Sequence, residues 1–133
     1  MKNLMAALLM LASIHAAHAG DIIDMTVVMT DMRGHPIPDG SEPHPADPDC
    51  GKCKPLTLGV VVAASLLSED KDAGAVEKAR RGALALSLLD NKAAKLTAAQ
   101  INDIVRLMRI WPTIVLTRAM PLLDPAVNLS TGG

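Results

Sequence analysis

Lys54-Pro55-Leu56-Thr57-Leu58-Gly59-Val60-Val61-Val62-Ala63-Ala64-Ser65-Leu66-Leu67 decides the fold of this chain. From Leu58 to Leu67 only Gly59 and Ser65 interrupt the apolar run. A run of about ten such residues is half of what a bilayer span requires. It therefore reads as a helix buried on most of its circumference, with Thr57 as N-cap and Pro55 just outside. The run divides a proline-rich, acidic, cysteine-bearing half from a half patterned for helices.

Half of the 133 residues are apolar, but Phe and Tyr are absent and Trp111 is the single aromatic. Ala, Leu, Val, Ile and Met suit helix packing better than a sheet, which favours aromatic and β-branched side chains. A chain of this length holds one modest core. The formal charge of −1 supplies no field to attract nucleic acid or an anionic membrane. Without aromatic platforms, stacking on single strands is also disfavoured.

Downstream of the run, Ser68 to Asp72 is fully polar and closes the first helix. A second is expected from Ala73 to Leu89, with Val76, Ala79, Ala83, Leu86 and Asp90 at helical steps, as are Ala79, Ala83 and Leu84 towards Leu88, and with Glu77, Lys78, Arg80 and Arg81 on the early solvated side. Gly82 weakens it unless it permits a close helix contact, and Asn91 is a left-handed terminator. Thr97-Ala98-Ala99-Gln100 fits a capping box, flanked by Leu96 and Ile101 as a hydrophobic staple. Ile101, Ile104, Val105, Met108 and Trp111 then form a stripe opposite Asn102, Asp103, Arg106 and Arg109. Pro112 ends this helix, leaving Trp111 in the core at the bend. A last helix runs from Thr113 to Leu123, with Pro121 breaking its final turn. The fold class is mainly α: a small four-helix bundle preceded by a short β-strand or hairpin and a proline-rich arm.

The organisation expected is a signal peptide over 1–19, a strand and acidic arm over 20–54, a helical domain over 55–124 and a flexible tail over 125–133. Lys2, the apolar Leu4–Ile14 and Ala17-His18-Ala19 before Gly20 make the signal. It implies a secreted or periplasmic protein with no membrane span after cleavage. Initiation at Met25 is the alternative and implies the cytoplasm. Asp21 to Met32 reads as one strand centred on Val27, Val28 and Met29, and Thr26–Thr30 could form a hairpin with Pro36–Pro38 across the Arg33–Pro36 turn. Pro36, Pro38, Pro43, Pro45 and Pro48 forbid helix or central strand, so the arm reads as an extended linker.

Cys50-Gly51-Lys52-Cys53 is the candidate site. Two thiolates two residues apart can share a tetrahedral ion, with His35 and His44 completing four zinc ligands. The histidine spacings match no standard finger. Cys50 and Cys53 also fit a structural disulfide in an oxidising compartment, or a redox pair. The pair looks superficially like a thioredoxin active site, but the βαβ alternation of that fold is missing. No cofactor other than zinc is suggested. The chain carries no Ser-His-Asp set, phosphate loop or H-E-x-x-H pattern, so enzymatic activity is not expected. Arg80, Arg81, Arg106, Arg109 and Arg118 could form a basic patch, although such runs usually belong to solvated helix faces.

The order Asp31-Met32-Arg33-Gly34-His35-Pro36-Ile37, Lys54-Pro55-Leu56-Thr57-Leu58-Gly59, Glu77-Lys78-Ala79-Arg80-Arg81-Gly82-Ala83-Leu84-Ala85, Leu96-Thr97-Ala98-Ala99-Gln100-Ile101 and Leu122-Leu123-Asp124 resembles small phage- and prophage-encoded helical proteins of unknown function. The resemblance spans roughly Met25 to Asp124 and favours initiation at Met25. It implies no activity and no catalytic residue; Pro121 and the Cys50–Cys53 pair depart from it. The expectation is an interaction module that binds another protein, motivated by apolar residues (Val60, Leu67, Ala85, Leu116) that one small core would not absorb. The second reading is an exported metal-binding or thiol-redox protein using Cys50 and Cys53.

Overall fold

The computed structural model describes residues 20–41 and 53–126. The expected signal peptide, His44, Cys50 and the last seven residues lie outside them. The chain is mainly helical, with one short two-stranded antiparallel sheet.

The apolar run forms helix α1, Leu58–Leu66. Thr57 is extended (φ −102°, ψ 162°), and its hydroxyl accepts from the Val60 N–H at 3.4 Å. Only Val60 and Ala64 of the helix escape full burial. Its one polar side chain, Ser65, is satisfied by donating to the Val61 carbonyl at 2.7 Å. Gly59 is there for space: a Cβ would lie 3.2 Å from the Met25 carbonyl oxygen and 3.4 Å from that of Leu88.

The described residues before α1, 20–41 and 53–57, pack against the helices. Ile23, Met25 and Met29 share one core with the helices. Strand β1 is Ile22–Asp24, pairing antiparallel with β2, Ala93–Lys95, with Ile23 opposite Ala94. Val27 to Met29, expected to be the strand, contributes only an isolated bridge from Val28 to Thr57. Its neighbours are too short and too proline-rich to build a ladder. Instead three segments close a ring: Met29 N–H donates to Leu56 O (2.8 Å), Leu56 N–H to Ile37 O (2.6 Å) and Ile37 N–H to Met29 O (3.0 Å). The prolines alternate with donors, so Ile37 and Asp39 bond inward while Pro36 and Pro38 forfeit nothing. The hairpin with Pro36 does form, as a Thr30–Pro36 bridge. Its turn uses Gly34 at φ 83°, and the Asp31 carboxylate takes the N–H groups of Arg33 and His35.

Helix α2, Ala75–Asp90, packs along α1 on a different face from the one its spacing suggested. Arg81, Ala85 and Leu88 are buried, whereas Val76, Ala79, Ala83 and Leu86 are exposed. The inversion follows from Arg81, which pairs with the buried Asp70 and the half-buried Asp103 and turns its side of the helix inward. Asn91 is extended (φ −110°) and not left-handed; its side-chain amide donates to the Ser87 carbonyl at 2.6 Å. That extension feeds straight into β2, whose Ala-Ala-Lys sequence gives no strand signal.

Helix α3, Ala98–Leu107, opens with both bonds of the capping box: Gln100 N–H to Thr97 Oγ1 at 3.1 Å and Thr97 N–H to Gln100 Oε1 at 2.8 Å. Its buried stripe is Ile101, Ile104 and Leu107, continued by Met108; Val105 is only half-buried. A 3-10 turn, Met108–Ile110, tightens the end before Trp111 becomes extended ahead of Pro112. Helix α4, Thr113–Leu123, continues through Pro121, with the Asp124 N–H still bonded to Met120 O at 2.9 Å. So late in a helix, proline forfeits one backbone bond without ending the last turn.

Candidate functional site

Of the four candidate ligands, His35 and Cys53 lie among the described residues. His35 is exposed at the hairpin turn, with Nδ1 3.8 Å from the Asp31 carboxylate. Cys53 is disulfide-bonded. Pro38 bridges to Pro55 and the Asp39 N–H donates to Lys54 O, so Cys53 sits at the end of the Pro36–Asp39 segment remote from His35. Among the described residues no group of three His, Cys, Asp or Glu side chains could hold a metal ion. Cys50 and His44 fall outside them.

The densest polar chemistry lies elsewhere. Asp70, from the polar stretch after α1, is buried and accepts from Arg81 at 2.7 Å and Arg106 at 3.0 Å. Arg81 also grips Asp103 through Nε at 2.9 Å and Nη2 at 3.2 Å, and Arg106 reaches Asp103 at 2.8 Å. These bonds from Arg81 and Arg106 hold the Asp70 carboxyl far below the usual carboxylate range, and the carboxylates raise both guanidinium groups. The cluster ties the α1–α2 connection to α2 and α3. Its charges satisfy one another, which suits a brace better than a ligand site.

Of the five arginines that could have formed a basic patch, Arg81 and Arg106 are taken up by this cluster. Arg80 is held by Glu77 at 3.0 Å, and Arg118 donates to the Asp31 carbonyl at 3.2 Å. Asp70 reads as part of a solvated polar stretch because intervals of 11 and 36 residues to its partners leave no local signature.

An apolar groove lies beside β1. Ile22, Val27, Leu122, Leu123 and Pro125 line a groove of about 240 Å³, with Asp21 and Asp24 along the strand. Ile22 is 70 % exposed on this face. The volume falls below the roughly 300 Å³ at which small-molecule pockets begin, so it fits one or two side chains. β1 pairs on one side only, leaving its other edge without a strand among the described residues. The Thr26 hydroxyl and N–H bond the Asp24 carboxylate and lower its pKa, so it remains charged.

The apolar residues expected to be surplus divide differently. Ala85 is fully buried, Val60 and Leu116 are half-buried against the core, and Leu67 is exposed. No helix among the described residues is long and apolar enough to cross a membrane. Comparison of the chain with protein-family models, curated proteins and solved structures finds no match.

Proposed function

We propose that the protein is a small non-enzymatic interaction module, a four-helix bundle that receives an extended segment of another protein along β1. The observation that carries this reading is an edge of β1 that pairs with no strand among the described residues, beside an apolar groove with Ile22 exposed on it. Strand addition supplies affinity through main-chain hydrogen bonds and specificity through pockets for alternate side chains. Asp24 favours a segment that alternates apolar residues with Lys or Arg. The resemblance to phage- and prophage-encoded proteins supports a viral assembly component as the source of that segment.

Selection from a displayed library of short random peptides tests this. Enriched sequences should alternate apolar and basic residues, and Ile22→Lys or Leu122→Asp should abolish their binding. Undiminished binding to both variants would overturn the proposal.

The disulfide at Cys53 supports a secreted or periplasmic location, where such bonds persist. Strand β1 lies ahead of Met25 and buries Ile23, which supports a working chain that includes residues 20–24 over one initiated at Met25. Sequencing the N-terminus of protein from its native host distinguishes a start at Gly20 from one at Met25.

A further inference from the structure

Helix α4 ends at β1. Leu122, Leu123 and Pro125 line the same groove as Ile22 and Asp24. Past the helix the Ala126 N–H donates to the Asp124 carboxylate at 3.0 Å, a turn that breaks the helical path. Residue 127 thus follows directly on the groove's own wall.

The sequence there is Val127-Asn128-Leu129-Ser130-Thr131. Apolar and polar residues alternate from Val127 to Ser130, the period of a strand with one face covered. None of these side chains is charged, so Asp21 and Asp24 along β1 repel none of them. The groove of about 240 Å³ takes one or two side chains, and Val127 and Leu129 supply two at the spacing of one strand face. At about 3.3 Å per residue, the extended chain from 127 to 130 is long enough to run the length of the three-residue β1.

The backbone of β1 completes the match. The Met25 N–H donates to Lys92 O at 2.9 Å, and the register sets Ile23 opposite Ala94. Alternation within an antiparallel pair then directs the backbone groups of Ile22 and Asp24 away from β2. They point to the edge that pairs with no strand among the described residues.

We propose that residues 127–130 add as a strand to this second edge of β1, seating Val127 and Leu129 in the groove and competing with a partner segment for it. The occupant is this segment because the chain leaves the described fold at the groove itself, which makes its docking intramolecular and raises its effective concentration at β1. Covering the edge also guards it against pairing with other chains. The segment is neutral, so a partner bearing Lys or Arg beside Asp24 displaces it. As regulation, this closure rests on the reading of β1 as a receiving edge; as a contact within the chain it does not.

Amide hydrogen exchange in the full chain and in a chain ending at Ala126 tests it. A closure occupied about nine-tenths of the time slows exchange, and weakens the apparent affinity for a competitor, about tenfold. The Ile22 and Asp24 amides should therefore exchange about tenfold faster in the shortened chain, while Ile23, paired with Ala94, keeps its rate. Leu129→Asp in the full chain should act like the truncation, with an unchanged circular dichroism spectrum. Equal rates at Ile22 and Asp24 in the full and shortened chains, or a Leu129→Asp chain that exchanges like the wild type, would overturn the proposal.

A synthetic peptide of alternating valine and lysine separates this closure from the receiving edge. Faster exchange on truncation, with about tenfold tighter peptide binding, supports both. Faster exchange with no peptide bound by either chain leaves the closure standing and removes the receiving edge. Unchanged exchange with equal peptide binding by both chains removes the closure alone.

Discussion

The indole Nε1 of Trp111 donates to Ser65 Oγ at 3.0 Å and also lies 3.2 Å from the Val61 carbonyl oxygen. The bend before Pro112 is thus fastened to the most buried helix by the only aromatic side chain in the protein. Ser65→Ala removes one acceptor and leaves the other. It should lower stability by about 1 kcal/mol, the net worth of a typical hydrogen bond. Denaturant unfolding followed by Trp111 fluorescence checks this with no other aromatic emitter present.

Two glycines should respond to alanine with opposite sign. At Gly59 the added Cβ meets backbone at 3.2 Å, in a core that has little room to move. Gly59→Ala should destabilise by about 1–3 kcal/mol, as overpacking does. At Gly82 the same atom meets nothing within 4 Å, in the interior of a 16-residue helix. Gly82→Ala should therefore stabilise by up to about 1 kcal/mol. Paired thermal melts read both.

Acid should loosen the α1–α2 connection late. Arg81 and Arg106 lower the folded-state pKa of Asp70 below its ordinary value of 3.8. A depressed carboxylate contributes stability in full above the unfolded pKa and loses it as pH falls through the folded one. The contribution should hold at neutral pH and fade below about pH 4. Asp70→Asn should lower Tm at pH 7 and flatten that acid limb, as Tm measured against pH will record.

The capping box at α3 offers a local test. Thr97→Ala removes the acceptor for the Gln100 N–H and should cost about 1 kcal/mol. Urea titration checks it; Thr97→Ser should recover most of the loss.

Local chemistry was legible in the sequence, and long-range chemistry was not. Thr57, the Thr97–Gln100 box and the stop at Pro112 act over three or four residues, and each stands where its residue type requires. Helix α2 shows the limit. Its spacing fits two faces equally well, and Arg81 selects between them by reaching Asp70 and Asp103, partners that only the folded chain brings near. β2 was missed because Ala93-Ala94-Lys95 has no strand propensity and is extended only by pairing with β1. The groove was illegible for a similar reason: Ile22 and Leu122 each read as ordinary members of an element, and their proximity is tertiary.

The ring through Met29, Ile37 and Leu56 joins residues 29–37 directly to the chain just before α1. The Asp39 N–H donates to Lys54 O and the Leu58 N–H to Val27 O, so both bonds join the chain before residue 41 to the chain after residue 53. Foreign sequence spliced into that interval would leave every one of these bonds in place, and doubling a loop adds only about 0.6 kcal/mol of closure entropy. A protease cutting there would yield two fragments that still cohere. The two halves of the chain are therefore held together by these bonds and by the shared core, whatever the length of the chain that connects them.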